Sequence, residues 1–393
     1  MQFAMRMERF GEGVFTRLAD IQRQKLSSGE AVIDLSIGAP DIPPAQHLLD
    51  AMAEAVRDKA NYVYALSDHK ELKEAAARWY ERRYGVILDP DTEITSLMGS
   101  QEGLFHLALA IVNEGDVVLV PDPCYPAFAD GPLLAGARLY YMPQKKENGY
   151  VIRLSDIPAE VLRQAKLMIV SYPNNPTTAV APDSFYEELV YFAAKYDIIV
   201  LHDNAYSELV FDGHTGGSFL RFPGAREVGV EFNSLSKTYG LAGARVGFCV
   251  GNKEVVSQLK LLKSNMDYGM FLPVQKTAVT AITGSQSCAA KNCKAYERRR
   301  DVLCDGLNRI GWQVKKPAAT MFVWARIPDH YQSAEAFAMD MVSQSGVLVT
   351  PGSAFGPSGE GYVRMALVQD EEILEEAVAA LDRCGILKGK DKR

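Results

Sequence analysis

The stretch that most limits what this chain can become is Ser234-Leu235-Ser236-Lys237-Thr238-Tyr239-Gly240-Leu241-Ala242-Gly243-Ala244-Arg245-Val246-Gly247-Phe248. An apolar-alternating run, Val228 to Phe232, leads in, and a second, Val246 to Val250, leads out. Both read as buried strands. Between them one lysine sits at a tight turn of small hydroxyl residues and glycines. An amine there is poorly hydrated, and desolvation lowers its pKa and frees its lone pair. That is the state a lysine needs to form a Schiff base. Ser234, Ser236 and Arg245 are the right groups to hold a phosphate close to it. A surface lysine in a Gly-rich hairpin is the plain alternative, since the chain has 42 basic residues. The spacing of Ser236, Lys237 and Arg245 together argues against it.

Composition removes several classes. At 48% hydrophobic and 23% charged the chain is an ordinary globular protein, and 393 residues suggest two or three domains. A net charge of −7 argues against a nucleic-acid partner. Met1 to Phe10 mixes charges with apolar residues, unlike a signal peptide. No run of about 18 apolar residues exists, so no membrane span is expected. The six cysteines make no CxxC pair. They read as free thiols in a reducing cytoplasm, not as a disulfide framework. The tail 388–393 reads as a frayed end.

Periodicity gives the organisation. Val32 to Ile37, Val117 to Val120, Leu167 to Val170 and Ile198 to Leu201 read as strands. Helices are expected where Leu72, Ala75, Ala76 and Trp79, then Leu104, Leu107, Ala108 and Ile111, then Phe185, Leu189, Phe192 and Ala193 share a face. Phe15, Leu18 and Ile21 give an N-terminal helix, and Leu374, Ala377, Val378 and Leu381 a final one. Gly85 should end the helix that follows residue 70. A charged helix from about Ser287 to Ile310 leads to C-terminal strands at Thr320–Ala325 and Val347–Thr350. The strand–helix–strand unit ending at Leu201 implies a mainly parallel sheet.

Three positions on this frame suggest chemistry. Asp203 stands at the C-terminal end of a strand, where α/β folds place ligands, and a carboxylate buried alone there would be costly; capping a helix is the alternative. The turn Gly99-Ser100 opening a helix is a ready anion site, although Ser100 as a plain N-cap reads equally well. Arg364 lies inside a strand, where its fork suits a carboxylate; an ion pair with Glu360 or another acid is the alternative. His202 reads as a packed neighbour.

With those residues in view, Ser-x-Ser-Lys-x-x-x-x-x-Gly-x-Arg-x-Gly resembles the cofactor-lysine signature of the class I and II aminotransferases, the fold type I pyridoxal-phosphate (PLP) enzymes. The resemblance covers nearly the whole chain, and within the family it is strongest to the LL-diaminopimelate and related broad aminotransferases. It implies an α/β fold: a large domain whose mainly parallel seven-stranded sheet lies between helices, plus a smaller α+β domain. The expected divisions are 1–44, 45–285 and 286–393, the first joining in part to the last.

The resemblance also implies roles. Lys237 would be the Schiff-base lysine and proton shuttle, Asp203 the partner of the pyridine nitrogen, and Tyr206 and Asn175 the partners of the ring oxygen. Tyr125, in Pro123-Cys124-Tyr125-Pro126, would stack on the ring. Ser100, Gln101 and Glu102 would join Ser234, Ser236 and Arg245 around the phosphate. Gly38 and Arg364 would meet the substrate carboxylate, beside Asn175. Tyr64, with Tyr62 competing, would reach the partner's phosphate across a homodimer, near a segment at 263–271. Two departures stand out: Thr178 replaces the glycine of the family's Asn-Pro-Thr-Gly, and Asp68 stands near a usual glycine. The implied reaction is ping-pong amino transfer from an L-amino acid, with 2-oxoglutarate and glutamate as one couple and LL-diaminopimelate a candidate donor. A C–S β-lyase or decarboxylase on the same fold is the alternative. A regulatory protein would carry an appended DNA-binding segment, and a nucleotide-dependent oxidoreductase a strand–GxGxxG–helix; neither is evident in the sequence.

Overall fold

Strands that are Val-, Ile- and Leu-rich on both faces are stable only where helices cover both sides of the sheet, and that is how the apolar runs fold. The computed structural model describes residues 3–11 and 14–388. The expectations for the side chain of Phe15 and for the tail beyond residue 388 lie outside them.

The N-terminal part carries helix α1 (Val14–Ser27), a short strand β1 (Ile33–Asp34) and α2 (Gln46–Arg57). The central part runs α3 (Lys70–Tyr84), β2 (Ile94–Leu97), α4 (Ser100–Ile111), β3 (Val117–Asp122), α5 (Ala127–Leu134), β4 (Arg138–Pro143), α6 (Ala159–Leu162) and β5 (Ala165–Ser171). It continues with α7 (Asp183–Tyr196), β6 (Ile199–Asp203), α8 (Ala225–Val228), β7 (Gly229–Ser234), the helical turn α9 (Leu235–Thr238), β8 (Gly247–Gly251) and α10 (Lys253–Met266). The C-terminal part has α11 (Leu272–Thr283), α12 (Ser287–Arg309), β9 (Phe322–Arg326), α13 (Ala334–Ser345), β10 (Val347–Leu348), β11 (Thr350–Pro351), β12 (Tyr362–Ala366) and α14 (Glu371–Cys384).

Among the described residues, seven strands form one sheet in the order β2-β8-β7-β6-β5-β3-β4. Strands β4, β3, β5, β6 and β7 are mutually parallel; β8 is antiparallel to both its neighbours. Alternate residues feed opposite cores. Val118, Val120, Leu167, Ile169, Leu201 and Phe232 pack on one face, and Val117, Leu119, Met168, Val170 and Val200 on the other. Each such wholly buried aliphatic side chain stabilises the fold by roughly 1.5–3 kcal/mol relative to exposure.

The helix faces fall where the spacing put them. Leu72, Ala75, Ala76 and Trp79 are buried on α3. That helix ends at Gly85, whose positive φ of 69° lets its N–H reach back to the Glu81 carbonyl. The run at 32–37 yields only two paired residues, because β1 meets just Val347 and Leu348 of β10. A third core gathers Leu303, Leu307, Phe337, Met341, Met365 and Val378 around the antiparallel sheet β11-β12-β9. Leu35 from the N-terminal part and Tyr206 from the central part belong to it as well. Among the described residues no helix is long and apolar enough to cross a membrane.

Thr178, where the family pattern has glycine, keeps the turn a glycine would make. Its φ is +63°, a left-handed conformation that strains a β-branched residue. The turn is fixed by Asn174, whose carbonyl accepts the Thr178 N–H at 3.0 Å and whose side-chain Oδ1 accepts the Thr177 N–H at 3.0 Å. Thr178→Gly removes that strain and adds freedom to the unfolded chain, so a net gain of about 0.5–1 kcal/mol is expected. A higher thermal midpoint checks it; a lower one contradicts the strain.

Candidate active site

Parallel neighbours end at the same edge of a sheet, so β6 and β7 deliver Asp203 and, two residues beyond its partner Phe232, Ser234 to one edge. The chain then turns through α9 and exposes Lys237 to a cavity of about 300 Å³. Its lining includes Gly38, Ser100, Gln101, Tyr125, Asn175, Asp203, Tyr206, Ser234, Ser236, Lys237, Arg245 and Arg364. These come from positions spread over more than 300 residues, and all were singled out in the sequence.

Lys237 Nζ donates to the Gly38 carbonyl at 2.7 Å. Its pKa is pulled down from 10.5 to about 8, first by burial and then by the positive Arg364 and Arg245, with Asp203 pulling the other way. Ser234 caps the turn that carries it, its hydroxyl accepting the Ser236 N–H at 3.2 Å. Asp203 is buried, and burial pushes its carboxyl up from 3.8 to about 6, against the opposing field of His202. Its Oδ1 accepts no hydrogen bond in the structure. A buried acceptor left so costs about 1–3 kcal/mol, and a ligand donor placed on it would recover that.

Arg364 is buried on β12, its guanidinium 4.2 Å from the ring centre of Phe322 and 4.7 Å from that of Phe355. Nη1 donates to Asn175 Oδ1 and Nη2 to the Ser36 carbonyl, both at 2.8 Å. Burial pulls its pKa down to about 10, so it remains a cation at neutral pH. The alternative pairing with Glu360 does not form: that carboxylate accepts the backbone N–H groups of Ala334 and Gly361. Tyr206 is buried against Phe322, ring centres 5.7 Å apart, and burial raises its hydroxyl pKa.

At the other end α4 opens onto the cavity. Gly99 is its N-cap, without a side-chain cap, so Ser100 begins the helix and does not cap it. The Glu102 N–H donates to the Gly99 carbonyl at 3.2 Å, while the Ser100 and Gln101 N–H groups precede any intrahelical acceptor and the helix dipole favours an anion there. Gly99 has φ +78°, and a Cβ on it would run into the guanidinium of Arg245. A glycine suits both that left-handed backbone and the close approach of Arg245; the sequence singles out the turn but not this contact. Tyr125 donates to Gln101 Oε1 at 3.1 Å, which tethers the ring beside this turn.

Glu102, expected with Ser100 and Gln101, does not line the cavity. Its carboxylate accepts the Met98 N–H at 2.5 Å and pairs with Lys263 behind the turn. Tyr64 is 83% exposed and packs on Tyr268, away from the cavity of its own chain. Tyr62 donates its hydroxyl to the Val56 carbonyl at 2.8 Å. Asp68 accepts from the Ser96 N–H at 2.7 Å and so ties the entry of α3 to β2. His202 is a packed neighbour, bonded to Glu231 at 2.8 Å. Phe322, which no motif flagged, lines the cavity as the platform under Arg364.

The donor set fits PLP. Lys237 offers an amine with a depressed pKa, Asp203 an unpaired buried carboxylate oxygen suited to a protonated ring nitrogen, and Arg245 with the start of α4 a cradle for a phosphate. The cost of the amine is itself measurable. Below pH 8 folded Lys237 is charged in a site that disfavours charge, and the penalty is full. Above pH 10.5 the amine is neutral in folded and unfolded chains alike, and the penalty is gone. Cofactor-free Lys237→Met should therefore be more stable than the parent at pH 7, by about 1–3 kcal/mol, with the advantage vanishing towards pH 10.5. Urea unfolding across that range measures it; equal stabilities at pH 7 contradict a desolvated amine.

The chain is similar to known proteins over nearly its whole length. The family model for aminotransferase class I and II matches residues 30–381. The LL-diaminopimelate aminotransferase of Dehalococcoides mccartyi is 44% identical over 382 residues, covering 97% of this chain and 98% of that protein. That of Moorella thermoacetica is 44% identical over 384 residues, covering 98% of each. Among solved structures, substrate-bound BacF from Bacillus subtilis aligns with TM-score 0.94 at 34% identity, covering 98% of both chains. A probable N-succinyldiaminopimelate aminotransferase from Thermus thermophilus aligns with TM-score 0.89 at 36% identity, over 95% of this chain and 100% of that one.

Proposed function

Since the chain belongs to the class I and II aminotransferases, and so is a PLP-dependent enzyme that acts on amino and oxo acids, we propose that it transfers the amino group of LL-diaminopimelate to 2-oxoglutarate. The relatives that carry the first name at 44% identity over almost their whole length support the donor. The observation that carries the mechanism is the pairing, in one cavity, of a pKa-depressed amine at Lys237 with the buried carboxylate of Asp203.

PLP supplies an aldehyde carbon for the amino group and a ring that accepts electrons. The chain's residues do the rest. Arg364 binds the substrate α-carboxylate through its fork, with Phe322 and Phe355 holding the guanidinium plane. Asn175, whose Oδ1 is taken by Arg364, has its amide N–H groups left to donate to an oxygen in the cavity. Asp203 holds a proton on the ring nitrogen by offering it a carboxylate that water does not reach. Lys237 Nζ, basic yet largely neutral above pH 8, would move the proton from the substrate Cα to the cofactor's former aldehyde carbon, and in the reverse direction when the oxo acid is aminated. Tyr125 covers a ring face, and Ser100, Gln101, Ser234, Ser236 and Arg245 hold the phosphate. We assign the large unit to 45–285 and the small one to 286–393 with part of 1–44. In a homodimer the exposed Tyr64, whose neighbour Tyr62 is already bonded, reaches the partner's phosphate.

A panel of amino donors against 2-oxoglutarate tests the substrate, with LL-diaminopimelate expected to exceed aspartate and the aromatic amino acids by at least about 10-fold in kcat/KM. A preference for another donor overturns the substrate, and oxo-acid release without an acceptor favours the lyase. Lys237→Ala should lower kcat by about 10⁴-fold or more. Arg364→Lys, which loses the fork but keeps the charge, should raise KM for both amino and oxo acids by about 10- to 100-fold. Steady-state kinetics with each substrate reads both.

A further inference from the structure

Glu102 stands two residues past Ser100 on α4, on the side away from the cavity. Its Oε2 accepts the Met98 N–H at 2.5 Å and so closes the turn 98–102 from behind. Its other oxygen is bonded by the ammonium of Lys263, in the last turn of α10. His106 Nδ1 lies 3.1 Å from the same oxygen, and Asp267 lies 3.7 Å from both His106 and Lys263. Glu102, His106 and Asp267 have the spacing of a cation site, and the Lys263 ammonium supplies the positive charge there. The Glu102 and Lys263 side chains are only 10% and 6% exposed.

A buried ion pair adds little or nothing to stability over an apolar pair of the same size, because both charges must be desolvated. What this one does add is geometry. Glu102 fixes the backbone that presents Ser100 and Gln101. Lys263 joins that backbone to the loop after α10, where its carbonyl accepts the Tyr268 N–H at 2.9 Å and Gly269 donates to Ala65 at 2.8 Å.

We propose that Glu102 and Lys263 are positioning residues: their ion pair sets the affinity of the turn 98–101 for the cofactor phosphate while touching neither cofactor nor substrate. The inference rests on the reading of that turn as the phosphate cradle.

The test titrates cofactor-free protein with PLP and, separately, with pyridoxal, which lacks the phosphate, and reads both dissociation constants by absorbance. Glu102→Gln and Lys263→Met should weaken PLP by about 10- to 100-fold while leaving pyridoxal affinity as in the parent. The double variant Glu102→Met with Lys263→Met removes both buried charges. It should lose no more thermal stability than the unpaired Met98 N–H costs, yet still bind PLP weakly, because Met98 has lost its acceptor. PLP affinity equal to the parent's, or an equal loss for pyridoxal, overturns the proposal. If the single variants do not fold, the double variant decides it by the same two constants. Arg245→Ala serves as the control. Should it bind PLP as tightly as the parent, the phosphate-cradle reading itself fails. Should it weaken PLP while the Glu102 and Lys263 variants do not, only the positioning role fails.

Discussion

An amine placed between two arginines, in a cavity that hydrates it poorly, is electrostatically out of place, and much of this fold serves to keep Lys237 there. Strand β7 pairs in parallel with β6, placing Phe232 opposite Asp203, and then runs two residues further. Strand β8 returns antiparallel and closes the turn at its base, with Gly247 opposite Ser234 and the Leu235 N–H bonded to the Val246 carbonyl at 3.2 Å. The short turn that carries Lys237 is therefore anchored at its base by strand pairing, and its amine is held by the Gly38 carbonyl. The sheet spends its register on holding one amine beside one carboxylate.

The charges around the cavity follow the same logic. Lys237, Arg245 and Arg364 are cationic groups, and Asp203 is the carboxylate among them. Such a lining repels itself when empty and favours anions. A cofactor with a phosphate and a substrate with a carboxylate are the ligands that relieve it. Arg364 illustrates the cost, since burial pulls even a guanidinium down to about 10 and two aromatic rings and two acceptors are needed to hold it. Sites of this kind are where local rules of stability are broken because binding repays the breach.

Much of this was legible in the sequence, for identifiable reasons. Short continuous apolar runs bounded by turn residues fit strands covered on both faces, and the parallel core of the sheet followed. Asp203 and Lys237 were found because both sit just past such runs, where ligands bind. What the sequence did not reveal is equally physical. The resemblance grouped Glu102 with Ser100 and Gln101, but two residues along a helix is about 200° of rotation, and its side chain is not among those lining the cavity. The turn at Gly99 was legible as an anion site, but nothing in a single sequence reveals that Arg245 packs where its Cβ would be. Phe322 belongs to no motif and matters only through the contact it makes with Arg364. The strand expected at 32–37 shrank to two paired residues because its partner β10 is itself only two residues long.

The central claim is that the amine at position 237 carries the cofactor. The most direct measurement incubates the protein with one equivalent of PLP, reduces it with borohydride and maps the modified peptide by mass. The account predicts a single adduct, on the lysine of the peptide Ser236-Lys237-Thr238-Tyr239. An adduct on another lysine, or none, contradicts it.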